Sequence, residues 1–226
     1  MISIHALSKS YNGKEVLKDI ELNLLKGNVY GIVGENGAGK TTLFRCIAGL
    51  ESYAGSIESL IESLKDKMGF LTTDPYILSK ITGREYLRLL CLARQVKVED
   101  WDTKNIFDLP LDQYAESYST GMQKKLAITA ILLQKNEIFI LDEPFNGVDI
   151  QSNILITEII HHLKSLEKTI IISSHIFSTL SDTCDTIFHL SEGKIKQQYQ
   201  KTDFHLLESE IKEVTIGDRI KRLALS

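Results

Sequence analysis

The chain has 226 residues, 43% of them hydrophobic and 25% charged, with a formal charge of −4. That suits one compact domain with a sizeable core and argues against a general nucleic-acid binder, whose surface must be basic to collect phosphates. No apolar run approaches the ~20 residues that cross a bilayer, and Met1 leads straight into the strand-like Ile2-Ser3-Ile4 without a signal peptide, so a cytoplasmic protein is expected, tied to a membrane only through a partner. Cys46, Cys91 and Cys184 are far apart and form no Cys-x-x-Cys pair, which reads as three reduced, buried thiols.

Ile2, Ile4 and Ala6 alternate with polar residues and predict a strand. Asn12-Gly13 predicts a hairpin turn into a second strand, Val16 to Leu24, with Ile20, Leu22 and Leu24 on one face. Lys26-Gly27 turns into a third strand, Val29 to Val33. A glycine-rich loop and a helix carrying Leu43, Phe44 and Ile47 follow, ending near Gly49. Short strand signals recur at Ser56-Ile57 and Met68 to Leu71. Thr82-Gly83-Arg84-Glu85 fits a capping box, and Tyr86, Leu89, Leu90 and Ala93 follow at helical spacing. Asp100 to Leu111 reads as a polar connection. A second helix is expected from Ser119, carrying Met122, Leu126, Ala130 and Leu133. The pattern then becomes β-α-β: a strand at Ile138 to Leu141, a helix from Gln151 to Leu166, a strand at Thr169 to Ser173, a short helix and a strand at Thr186 to Leu190. Glu192-Gly193 turns into a last strand, Ile195 to Tyr199. Unbroken apolar strands alternating with helices imply an α/β fold whose parallel sheet is covered on both faces. The polar tail from Thr202 carries no assignment.

Gly34-Glu35-Asn36-Gly37-Ala38-Gly39-Lys40-Thr41 matches G-x-x-x-x-G-K-[ST] between a predicted strand and a predicted helix. Glycines let the backbone curl so that several N–H groups face phosphate oxygens, and the helix aims its positive end at the same place. Lys40 is expected on the β- and γ-phosphates and the Thr41 hydroxyl on magnesium, with Thr42 adjoining them. Asp142-Glu143 follows the apolar strand at once, at the end where parallel sheets bind ligands. Asp142 is suited to holding the metal through water, and Glu143 to orienting the attacking water.

Two more segments narrow the reading. Tyr118-Ser119-Thr120-Gly121-Met122-Gln123 starts a helix, and Ser173-Ser174-His175 ends a strand. In this order, together with the phosphate loop and the acidic pair, the chain resembles an ATP-binding cassette domain over nearly its whole length, from about Ile2 to Tyr199. The resemblance implies a P-loop NTPase core with an N-terminal antiparallel β subdomain, together spanning about 1–75 and 135–200, an inserted helical subdomain at about 76–134 and a short tail at about 201–226. It further implies that Ser119, Thr120, Gly121 and Met122 form the signature loop that caps the γ-phosphate held by the opposite subunit. Asp149, in Asn146-Gly147-Val148-Asp149, is then the D-loop residue at the dimer interface, His175 the switch histidine on the γ-phosphate, and Tyr11 the ring under adenine. Taken singly, Ser119 is an ordinary N-cap, His175 a structural histidine and Tyr11 a strand aromatic.

The pattern departs from the family at two points. Where the family places a glutamine after the strand Met68 to Leu71, Thr73 stands, with Asp74 beside it as a substitute. In the signature, Thr120 replaces a glycine and Met122 a glutamine, a form similar to exporter-type cassettes. The resemblance thus implies a bacterial ATPase using ATP and Mg²⁺, paired as a homodimer or heterodimer with a second cassette, driving a transmembrane permease from the cytoplasmic side, in the direction of export. A cassette serving translation, repair or iron–sulfur assembly remains the alternative. A small-molecule kinase or GTP switch would leave the Ser119 segment without purpose, and no N-K-x-D motif is present.

Overall fold

A computed structural model describes residues 1–216. Nine strands and six α-helices are described among them: β1 Ile2–Tyr11, β2 Lys14–Leu24, β3 Val29–Val33, α1 Lys40–Ile47, β4 Ala54–Ser59, β5 Met68–Leu71, α2 Gly83–Ala93, α3 Thr120–Leu133, β6 Ile138–Asp142, α4 Ile150–Ser165, β7 Thr169–Ser173, α5 Phe177–Thr183, β8 Thr186–Ser191, β9 Lys194–Gln200 and α6 Phe204–Ile216. A three-stranded antiparallel sheet runs β2-β1-β4, and a six-stranded sheet runs β5-β6-β7-β3-β8-β9. The larger sheet is parallel apart from the β8–β9 hairpin.

The continuous apolar runs of the larger sheet arise because both its faces are buried. Val29 and Val33 of β3, Phe139 and Leu141 of β6, and Ile170 and Ile172 of β7 enter one core with residues from α2 to α6. The alternate residues Tyr30 and Ile32, Ile138 and Ile140, and Ile171 enter a second core, closed by α1 through Leu43, Phe44 and Ile47 and by the antiparallel sheet through Ile4, Leu7, Ile20 and Leu22. Period-two side-chain alternation thus supplies both cores from the same strands. Each fully buried Leu or Ile stabilises the fold by about 1.5–3 kcal/mol.

Several local readings change. Ala6 is exposed and has φ +49°. A register shift between Ile4 and Leu7 turns Leu7 inward in its place, which is what a bulge does to a strand's alternation. On α2 the buried residues are Gly83, Tyr86, Leu87 and Cys91, whereas Leu89 is 45% exposed and Ala93 also faces outward. Tyr86 and Leu90 of the predicted stripe do face the core, and Leu87 and Cys91 take the places expected for Leu89 and Ala93. The capping box is present: Glu85 N donates to Thr82 Oγ1 at 3.2 Å and Thr82 N to Glu85 Oε2 at 2.8 Å. The connection from Asp100 to Leu111 is not merely polar, since Phe107, Leu109 and Leu111 are buried. The tail forms α6, which buries Phe204 and Leu207 and receives the Tyr199 hydroxyl on Glu210 at 2.6 Å. The tail's remaining residues, 217–226, lie outside the described residues.

The three cysteines are free and buried. Burial pushes the Cys46 thiol up to about 11 and the Cys184 thiol up to about 12, so neither is a thiolate nucleophile near neutral pH.

Candidate functional site

Four adjacent parallel strands, β5, β6, β7 and β3, deliver their C-terminal ends to one edge of the sheet. Asp142 and Glu143 follow from β6, Ser173 to His175 from β7, the glycine-rich loop from β3, and Thr73 from β5. Residues far apart in sequence therefore meet at one edge. Asn36, Gly37, Gly39, Lys40, Thr41, Thr42, Thr73, Asp142, Glu143 and His175 all line a cavity of about 590 Å³, joined by Val16 and Asn146. Gly34, Glu35 and Ala38 line the other side of the loop.

The loop needs its glycines. A Cβ on Gly34 would stand 2.1 Å from the Leu190 carbonyl oxygen, and Gly39 caps α1 with φ +112°, a conformation that L side chains rarely adopt. Lys40 folds back over the loop, its Nζ donating to the carbonyls of Gly34 at 2.7 Å and Glu35 at 3.2 Å. The ammonium is thus held at the mouth of the anion cradle, where phosphate oxygens are stronger acceptors than carbonyls.

Asp142 is 1% exposed and accepts three hydroxyls: Thr41 at 2.7 Å and Thr73 at 2.8 Å on Oδ2, and Ser173 at 2.6 Å on Oδ1. Among the described residues no cluster of three His, Cys, Asp or Glu could hold a metal. One carboxylate flanked by two threonine hydroxyls is instead a hard-oxygen set that fits Mg²⁺, which takes few protein ligands and completes its shell with water and phosphate oxygens. Thr73 therefore does enter the site, through its hydroxyl on Asp142.

Glu143 has φ +53°, a left-handed conformation costing about 1–3 kcal/mol for a residue other than glycine. Its N–H donates to Ser173 Oγ at 2.9 Å. His175 donates to Glu143 Oε2 from Nδ1 at 2.8 Å and from its backbone N–H at 3.3 Å. A carboxylate only accepts, so Nδ1 carries the proton and the ring's Nε2 is left for another partner.

The remaining predicted residues lie elsewhere. Ser119 caps α3 by accepting the Met122 N–H at 3.3 Å. Ser119 and Thr120 are exposed, Gly121 and Met122 half-buried, and none of the four lines the cavity. Gly121 abuts the segment before Asp149: a Cβ on it would come within 2.6 Å of the Gly147 carbonyl oxygen. Asp149 caps α4 through the Ser152 N–H at 2.8 Å and pairs with Lys125 at 3.1 Å. The Ser152 amide, then Lys125, hold its carboxyl well below the usual range. Tyr11 is 39% exposed, packed against the Lys9 ammonium at 4.7 Å from the ring centre, and stands outside the cavity wall.

A contiguous glycine-rich loop, a carboxylate bearing two threonine hydroxyls and a Glu–His pair meet in one cavity. The sequence model of the family described as ABC transporter matches residues 17–146, more than half of the chain. The chain belongs to the ABC transporter family. It is 33% identical over 207 residues to the lantibiotic transport ATP-binding protein SrtF of Streptococcus pyogenes, covering 86% of this chain and 89% of that protein. It is 30% identical over 234 residues to the bacitracin transport ATP-binding protein BcrA of Enterococcus faecalis, covering 96% and 75%. A solved ATP-binding subunit of an ABC transporter superposes with a TM-score of 0.82 at 25% identity, covering 95% of this chain and 99% of that one. This ABC cassette is thus an ATP-binding subunit of a family that hydrolyses ATP.

Val16, on the cavity wall, and Lys124, behind it, escaped sequence reasoning. Val16 reaches it because β2 runs beside the loop, which only the fold reveals. Lys124 lies on the stripe Gly121, Lys124, Ile128, Ile131 of α3 and is 2% exposed. A charge on an otherwise apolar helical stripe was the available signal.

Proposed function

We propose that the chain is the motor subunit of an exporter: two cassettes close over two ATP molecules and pass closure and reopening to a separate permease. The observation that carries this reading is that Ser119, at the positive end of α3, is exposed and turned to no wall of its own cavity. A hydroxyl and N–H groups so placed suit a γ-phosphate held by another cassette. The Ser-x-Gly-Met signature supports export, and relatives named for lantibiotic and bacitracin transport support a transport role. Among the described residues no helix is long and apolar enough to cross a membrane, and the spanning segments are assigned to the permease, with the cassette peripheral on its cytoplasmic face.

In this reading the loop N–H groups and Lys40 bind the triphosphate. Glu143 accepts a hydrogen bond from the attacking water and orients it, and His175 keeps the Glu143 carboxylate in place. Asp142, Thr41 and Thr73 would hold Mg²⁺, which neutralises charge on the β- and γ-phosphates. Purification in mild detergent is expected to bring down a multi-span membrane protein; isolation with ribosomes or a soluble scaffold instead would overturn the transport role.

The Thr73 assignment has its own consequence. Thr73→Val removes one hydroxyl from Asp142 without changing side-chain volume much. The Mg²⁺ concentration for half-maximal ATPase activity is expected to rise about tenfold, the lower end for lost partners of metal ligands. An unchanged Mg²⁺ titration would exclude Thr73 from the metal's surroundings.

A further inference from the structure

The turn between β6 and α4 is gripped from α3. Lys124 Nζ donates to the carbonyl of Glu143 at 2.9 Å and to that of Asn146 at 2.8 Å. The Glu143 carbonyl also accepts the Asn146 N–H at 3.2 Å, and the Glu143 N–H is taken by Ser173. Both polar groups of this residue's backbone are therefore fixed, from β7 on one side and α3 on the other. Burial pushes the Lys124 ammonium below the usual lysine value, while the carboxylates of Asp74, Glu143 and Asp142 pull it back up.

We propose that Lys124 is a positioning residue for ATP hydrolysis: by holding the carbonyls of Glu143 and Asn146, it keeps Glu143 in its left-handed conformation with the carboxylate aimed at the attacking water. The proposal rests on Glu143 as the water-orienting group. Left-handed backbone at a residue with a side chain persists only where its surroundings over-determine it. Without the ammonium, the Glu143 carbonyl keeps only the Asn146 N–H. The peptide is then free to rotate toward a relaxed conformation, which swings the side chain. Lys124 does not itself line the cavity and reaches its wall only through the carbonyls of Glu143 and Asn146, so Lys40 and the loop amides, the triphosphate-binding groups of the proposed function, do not depend on it.

The test uses the whole chain. Lys124→Met is expected to lower kcat about 10- to 100-fold, as a misplacement of about 1 Å does. KM, and the affinity for trinitrophenyl-ATP, should stay within about threefold, because binding groups and reaction geometry are separately held. Lys124→Arg keeps charge and donors and is expected to recover most of the rate. On a Glu143→Gln background, Lys124→Met should cost nothing further, since groups acting as a unit are not additive. Unchanged kcat in Lys124→Met overturns the proposal. So does a fall in nucleotide affinity equal to the fall in rate, or a full further loss on the Glu143→Gln background. Should Lys124→Met fail to fold, Lys124→Gln, which keeps a donor of shorter reach, carries the same comparisons. A wild-type rate unaffected by Glu143→Gln alone would sink the Glu143 reading instead, and the two failures are told apart by that single variant.

Discussion

Glu143→Gln is expected to bind ATP as the parent chain does and to hydrolyse it about 10²–10⁴ times more slowly, the usual worth of a positioned base. The amide matches the carboxylate in size, and its oxygen can still accept from His175 Nδ1, which lies 2.8 Å from Glu143 Oε2. The geometry of the Glu–His pair is thereby kept. What is lost is the charge that polarises water. Triphosphate binding, as proposed, rests on Lys40 and the loop amides, which the change does not touch. Removing a negative charge beside the γ-phosphate also lessens repulsion in the closed state. The variant should therefore accumulate as an ATP-bound dimer, seen as a shift to twice the mass in size-exclusion chromatography with ATP present and lost when ATP is replaced by ADP. A turnover equal to that of the parent would remove Glu143 from its role.

What could be read from the sequence follows from how locally each feature is determined. The phosphate loop is one contiguous stretch whose glycines are demanded by the backbone itself, as the 2.1 Å approach of a Gly34 Cβ to the Leu190 carbonyl oxygen shows. The strands β3, β6 and β7 were legible because burial on both faces leaves unbroken apolar runs. Asp142 and Glu143 were legible because such strands release their polar residues at the ligand-binding end, whereas His175 was singled out only through the family resemblance. Features set by tertiary neighbours were not legible. Ala6 looked inward until the bulge at Leu7. Half of the α2 stripe was misplaced because Leu89 and Leu87 are equally apolar and only packing distinguishes them. Lys124 carried no assignment, since nothing in its neighbours announces the carbonyls of a turn about twenty residues on. Helix α6 was passed over although Phe204, Leu207 and Ile211 stand at i, i+3 and i+7, because polar residues dominate that segment.

Two inactive variants of this chain are expected to regain activity when mixed. Lys40→Ala removes the ammonium from the triphosphate cradle, so a pair of such chains has two defective phosphate loops. Ser119→Arg places a long cation where, in the proposed pair, the Ser119 hydroxyl would meet the partner's γ-phosphate, so a pair of these would have two defective caps. Each alone should be nearly dead. In a mixed pair, one site joins the intact loop of the Ser119→Arg chain to the intact Ser119 of the Lys40→Ala chain and is whole, while the other carries both faults. With random pairing and independent sites, the mixture should show about a quarter of the parent activity, because half the pairs are mixed and each has one good site. Ser119 is the better position to block than Gly121. Ser119 is exposed, and its replacement costs its own chain only a helix cap, about 1 kcal/mol. A side chain on Gly121 would strike the Gly147 carbonyl of its own chain at 2.6 Å and disturb the turn that carries Glu143, spoiling both sites at once. Equal measures of the two variants, incubated with ATP and assayed for phosphate release, decide the matter. Activity that merely averages the two parents would mean that Ser119 does not serve a second copy of this chain, and a partner cassette of different sequence would have to supply the cap.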